Sequence, residues 1–125
     1  HKAIEISLKG LETHLPKGVS FRDKDGHKRQ AMRIKWWENP VNKTLKEMSV
    51  LEIITLPNAP FDKHIDFYPT DERPVFFGHY WLQGKPALQK TNICCLDYSV
   101  AKGGNLCAYR WNGEQVLDSA NLVYA

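Results

Sequence analysis

Pro74-Val75-Phe76-Phe77-Gly78-His79-Tyr80-Trp81 is the stretch on which the reading of this chain turns. Three apolar residues with strand-favouring side chains run directly into Gly-His. Val75–Phe77 therefore reads as a short buried strand that delivers an imidazole where the chain leaves the sheet. The glycine allows close backbone approach or an unusual dihedral. A neutral imidazole in that position can ligate a divalent metal, act as a base, or donate to a phosphoryl oxygen. It can equally be a structural histidine held by hydrogen bonds.

Downstream, Gln83-Gly84-Lys85-Pro86 marks a turn, Ile93–Tyr98 reads as a second strand and Leu106–Trp111 as a third. Lys102-Gly103-Gly104-Asn105 separates the last two as a flexible turn without phosphate-loop spacing. Asn112-Gly113 predicts a tight hairpin into Glu114–Leu117. Asp97 interrupts an apolar strand, and a buried carboxylate must be paired or hydrogen-bonded. It is either an orienting partner for a ligand histidine or a group satisfied by neighbouring backbone N–H.

Upstream, Ile4, Leu8, Leu11 and Leu15 recur at helical spacing, which predicts a helix ended by Leu15-Pro16-Lys17-Gly18. Val19-Ser20-Phe21, the turn Asp23-Lys24-Asp25-Gly26 and the alternation through Met32, Ile34 and Trp36 predict a hairpin that stops before Asn39-Pro40. Thr44 and Glu47 have capping-box spacing, so 44–49 reads as one short helix. Leu51–Leu56 is an apolar run of ambiguous type, and 57–74 reads as loop with a short strand at Ile65–Tyr68. The expected class is α+β, strand-dominated with a few helices. The chain is read as one domain or partial domain, 1–125, with a basic helix-plus-hairpin segment at 1–48.

A chain of 125 residues that is 42% hydrophobic and 25% charged has the composition of a globular domain, not of a disordered or fibrous one. Net charge is +3, split as +5 over residues 1–48 and −2 over the rest. Asp23, Asp25, Glu38 and Glu47 break up the basic third, and there is no dense Lys/Arg block. An ordinary solvated face explains it better than a nucleic-acid interface, although a nucleic-acid binder remains one reading. A second is a noncatalytic interaction domain with an aromatic surface of Trp36, Trp37, Tyr80 and Trp81. Cys94, Cys95 and Cys107 lack CxxC spacing, so neither a zinc site nor a disulfide framework is expected. They read as buried small hydrophobes in a reducing compartment, the cytoplasm. No run of about 18 apolar residues suggests a membrane span, and no signal peptide or membrane partner is expected. His14, His27 and His64 read as ordinary surface histidines.

The Pro74–Trp81 block, then Cys95-Leu96-Asp97-Tyr98-Ser99-Val100, then Lys102-Gly103-Gly104-Asn105-Leu106 with Ala108-Tyr109-Arg110, resembles the C-terminal part of calcineurin-like metallophosphoesterases. The similarity covers residues 74–117 and is greatest to the bacterial branch near the serine/threonine phosphatases and symmetrical diadenosine tetraphosphatases. It implies a layered α/β sandwich with two central sheets, of which this chain would supply mainly one sheet and a helix. It also implies a two-metal phosphoesterase site, with Mn, Fe or Zn ions about 3.5–4 Å apart that activate a hydroxide and neutralise the transferring phosphoryl group. His79 matches the family's late metal-ligand histidine. Gly78, Asp97 and Tyr80 match supporting positions. The family's Asp-x-His, Gly-Asp-x-x-Asp-Arg and Gly-Asn-His segments do not occur here, so the resemblance implies no catalytic residue in this chain alone and no metal stably bound by it. The first residue is His1, not Met, and the expectation is a C-terminal fragment of a longer hydrolase, the alternative being a degenerate homologue that kept the scaffold. Its partners would be the N-terminal catalytic portion of the same protein and a phosphorylated substrate. Exposed edges predict a homodimer of the isolated fragment.

Overall fold

Glu12 and His14 are exposed while Thr13 and Leu15 are buried, an alternation of period two that makes this segment a strand. The structure, a computed structural model, describes residues 11–23 and 25–125. The chain divides into two compact units, the first ending at Phe67 and the second spanning Tyr68–Ala125.

In the first unit, β1 (Glu12–His14) pairs antiparallel with β4 (Ala31–Arg33), setting Thr13 opposite Met32, both buried. A smaller antiparallel pair, β2 (Phe21–Arg22) with β3 (Lys28–Arg29), is nested inside that excursion. The expected hairpin is therefore present, but its return strand continues to β1. The expected helix through Leu15 is corrected over its described part. Leu11, Thr13 and Leu15 are alternate residues, and pairing with β4 uses that face. Ile4 and Leu8 lie outside the described residues.

α1 (Leu45–Met48) is the single turn expected from its capping box. The Glu47 N–H donates to Thr44 Oγ1 at 3.2 Å, and the Thr44 N–H donates to Glu47 Oε1 at 3.1 Å. Both acceptors satisfy donors that a helix start leaves orphaned. The Lys35 N–H donates to Met48 O at 2.8 Å, which ties the end of α1 to the chain leaving β4. Leu15, Met32, Ile34, Met48, Leu56 and Phe61 form the core. Leu51–Leu56 forms no regular element: Ile53 and Leu56 turn inward, while Ile54 stays exposed. Nor is there a strand at Ile65–Tyr68, where the backbone makes no ladder.

The second unit contains β5 (Val75–Phe77), β6 (Ile93–Cys95), β7 (Asp97–Tyr98), β8 (Asn105–Tyr109) and β9 (Leu122–Tyr124). β5 and β6 are parallel, Phe76 opposite Cys94; β7, β8 and β9 form an antiparallel sheet in that order. The expected single strand at Ile93–Tyr98 is thus two, because the chain changes partners at Leu96. Its N–H still donates to Phe77 O at 2.8 Å, and Asp97 then pairs with Leu106.

Parallel neighbours need a long crossover, and residues 78–92 supply it without a helix. Tyr98 pins it, with its hydroxyl donating to Ala87 O and accepting from the Ala87 N–H, each at 3.1 Å. Cys94, Tyr98, Cys107, Leu117 and Leu122 form this unit's core.

The Asn112-Gly113 hairpin is also corrected: β8 pairs with β9, and 110–121 is a wide loop closed by a 3-10 turn at Ser119–Asn121. The Glu114 carboxylate prevents tight closure. It accepts from the Asn112 N–H at 2.7 Å, the Tyr109 hydroxyl at 3.0 Å and Asn121 Nδ2 at 3.3 Å. The molecule is α+β, with short strands predominating and few short helices. No helix among the described residues is long and apolar enough to cross a membrane.

Candidate functional site

Of the residues singled out from sequence, Gly78 and Asp97 are neighbours where β5 ends and β7 begins. Gly78 follows β5 directly, and a Cβ built on it would sit 3.7 Å from Asp97 Cβ, ordinary contact distance. His79 comes next, exposed and in left-handed backbone at φ 72°. Non-glycine residues seldom occupy that region, because Cβ approaches the following carbonyl. Two more left-handed residues flank the same strand ends, Trp81 at φ 53° and Ser99 at φ 59°. Strained backbone of this kind concentrates at functional sites and persists where surrounding bonds determine it. Here the Leu82 N–H donates to Asp97 O at 3.0 Å, and Ser99 Oγ donates to Leu82 O at 3.1 Å.

Asp97 is half-buried, and its Oδ1 accepts the Ser99 N–H at 3.2 Å. Tyr80 is 5% exposed, its ring 5.0 Å from that of Phe77 in an edge-to-face arrangement. It anchors the crossover in the unit's interior and does not line a surface. Of the four aromatic residues considered as a binding surface, Trp37 and Tyr80 are buried and Trp36 is half-buried; Trp81 is 42% exposed.

Lys102 is the residue that sequence reasoning passed over. Its ammonium lies 5.6 Å from the centre of the Trp81 ring, within cation–π range. The 3-10 turn Val100–Lys102 that carries it starts at left-handed Ser99, and the Lys102 N–H donates to Ser99 O at 2.9 Å. Gly104, read as part of a flexible turn, is sterically required. A Cβ there would come within 1.7 Å of Tyr98 O.

The other titratable groups lie elsewhere. His14 is on β1, exposed. His64 Nε2 is 3.1 Å from Asp66 Oδ1, both exposed. Asp23 closes the first turn: Oδ1 accepts the Asp25 and His27 N–H groups, and Oδ2 accepts Arg29 Nε at 2.8 Å. The His27 backbone bond, with help from Arg29, holds the Asp23 carboxyl below the usual range. Part of the basic segment's charge is thus compensated internally.

All three cysteines are buried and free. Burial, reinforced by neighbouring thiols, pushes Cys94 up to about 12, and burial pushes Cys95 up to about 11, so both thiols are protonated at neutral pH. Among the described residues no group of three His, Cys, Asp or Glu could hold a metal ion. A two-metal centre therefore does not fit the described residues by themselves. Compared with known protein families, with curated proteins and with solved structures, the chain matches none.

Proposed function

We propose that the chain is the C-terminal portion of a calcineurin-like metallophosphoesterase that hydrolyses phosphate esters or anhydrides, contributing His79 and the pocket wall around it. The observation that carries this reading is the parallel β5–β6 pair with Gly78-His79 just past the end of β5. Ligands gather beyond the carboxyl ends of parallel strands, where side chains from successive crossovers converge. The layered sandwich belongs to the same proposal. Its support is the order of a parallel pair, an Asp97 strand and a return through Gly103-Gly104 into antiparallel β8.

Two divalent ions need several converging ligands and a bridging carboxylate. One imidazole cannot supply these, so the remaining ligands are assigned to segments outside this chain carrying Asp-x-His, Gly-Asp-x-x-Asp-Arg and Gly-Asn-His. The three free, buried thiols support a reducing compartment, the cytoplasm.

Reading the gene upstream of His1 tests the proposal first, since an open reading frame lacking all three segments overturns it. In a protein that carries them, His79→Ala lowers Mn retention by about 10–100-fold with an unchanged circular dichroism spectrum. Undiminished retention removes His79 from the ligand set.

A further inference from the structure

We propose that Asn112-Gly113 is a site of spontaneous deamidation, and that its acidic product unlatches the loop 110–121. The pair carries a strong turn signal, yet it closes no hairpin and lies exposed near the start of that loop. The reaction joins a side-chain amide to the backbone nitrogen of the next residue. The Gly113 nitrogen gives up its proton and attacks Asn112 Cγ. The new C–N bond closes a five-membered succinimide, and the amide nitrogen leaves as ammonia with the proton. Water then opens the ring at either carbonyl. One opening leaves aspartate; the other leaves isoaspartate, whose main chain runs through Cβ. Water is the only co-reactant, so the reaction is independent of metal binding and of the phosphoesterase reading.

The surroundings favour this pair over the other asparagines. Asn112 and Gly113 are both exposed, so water reaches the ring. Gly113 has no side chain to shield its nitrogen, and even an added Cβ would find nothing within 4 Å. Among the described residues, neither the Gly113 N–H nor the Asn112 side-chain amide has a hydrogen-bond partner. Asn39 precedes proline, whose nitrogen has no proton to give, and every remaining asparagine precedes a residue with a side chain. Asn92 is also buried, its amide donating to Pro69 O and Glu72 O. Asp25-Gly26 has the atoms for the same ring, but its Gly26 N–H donates to Asp23 O at 2.9 Å.

The product acts on Glu114. The Glu114 carboxylate accepts the Asn112 N–H at 2.7 Å, and the Trp111 indole N–H donates to Glu114 O at 3.0 Å. Deamidation puts a second carboxylate on the very residue whose N–H Glu114 holds, and like charges so near repel. Isoaspartate also lengthens by one atom the ring that this hydrogen bond closes. Trp111 meets Phe76 of β5 edge-to-face at 6.2 Å, so the change reaches the sheet.

The full chain is incubated at physiological temperature in mildly alkaline buffer and followed by peptide mass mapping, with isoaspartate distinguished by fragmentation. Asn112 is converted at least about tenfold faster than any other asparagine. In nitrogen–proton NMR spectra the converted fraction loses the native Trp111 indole signal, assigned through Trp111→Phe. Asn112→Gln keeps the backbone N–H but must close a larger ring; it holds both its mass and its Trp111 signal over the same period. A rate at Asn112 no greater than at the other asparagines overturns the proposal. So does a fraction converted at Asn112 whose Trp111 signal is that of fresh protein.

Discussion

At the scale of single residues, two glycines exchange roles between sequence and structure. Gly78 attracts attention because it precedes His79, yet its φ is not positive and an added Cβ meets only Asp97 Cβ at 3.7 Å. Gly104 looks like part of a mobile turn, yet an added Cβ would overlap the Tyr98 carbonyl. Backbone cannot yield as a flexible side chain can. Gly104→Ala therefore lowers unfolding free energy by about 1–3 kcal/mol, while Gly78→Ala stays within about 0.5 kcal/mol; urea titration of both checks the contrast. His79 carries the strain that Gly78 does not. Ala and Gly both remove the imidazole, but only Gly relieves a left-handed φ of 72°. His79→Gly is expected to be more stable than His79→Ala by about 1 kcal/mol, the strain relieved less the entropy glycine adds to the unfolded chain. Equal stabilities would mean that the backbone relaxes when the side chain is lost.

At the scale of elements, what the sequence makes legible follows from how local each signal is. The capping box of Thr44 and Glu47 depends on residues three apart and appears as expected, as do β5 and the Asp23–Gly26 turn. Partner choice is not local. Nothing between Ile93 and Tyr98 announces that the strand leaves β5 at Leu96 and joins β8. Leu11 and Leu15 fit both a helical and an alternating period until β4 decides. The Asn112-Gly113 turn signal is overridden by the Glu114 carboxylate, whose bonds hold 110–121 open. The Asn112 N–H is the main cause of its lowered pKa, with the Tyr109 hydroxyl and Asn121 amide adding to it. Because the folded value lies below the ordinary glutamate value of 4.5, the loop's stabilisation is complete above that pH. It is lost as pH falls through the folded value. Protection of the Asn112 amide, taken relative to its intrinsic exchange rate, is thus expected to fall as pH drops below about 4.5, and Glu114→Gln should flatten that dependence. β6 makes a prediction of its own, since thiols at about 11 and 12 are protonated at neutral pH. Cys94 and Cys95 label with a disulfide reagent only at the rate at which the second unit opens, and labelling within seconds in native buffer would contradict their burial.

At the scale of the whole molecule, the candidate site was half legible. Gly-His after an apolar strand and Asp97 in the next are sequence signals, and the structure brings Gly78 and Asp97 together. The pairing of Trp81 with Lys102 needs the crossover, the partner switch and three left-handed residues, none of which a linear pattern contains. The division into two units has an energetic consequence that the length of 125 residues conceals. A core in a unit of about 60 residues buries only about 60% of its unfolded surface and leaves a margin of a few kcal/mol. Ile34 in the first unit and Ile93 in the second are 1% and 0% exposed. Truncating a buried isoleucine to alanine costs about 2–5 kcal/mol, because transfer energy is lost and a cavity is left that neighbours fill only partly. That loss is comparable with the whole margin of one unit. Ile34→Ala is therefore expected to collapse the amide dispersion of β1, β4 and α1 at 37 °C, and Ile93→Ala that of β5 through β9. Well-dispersed spectra with a loss below about 1 kcal/mol would mean that each unit draws its stability from more than the core within it.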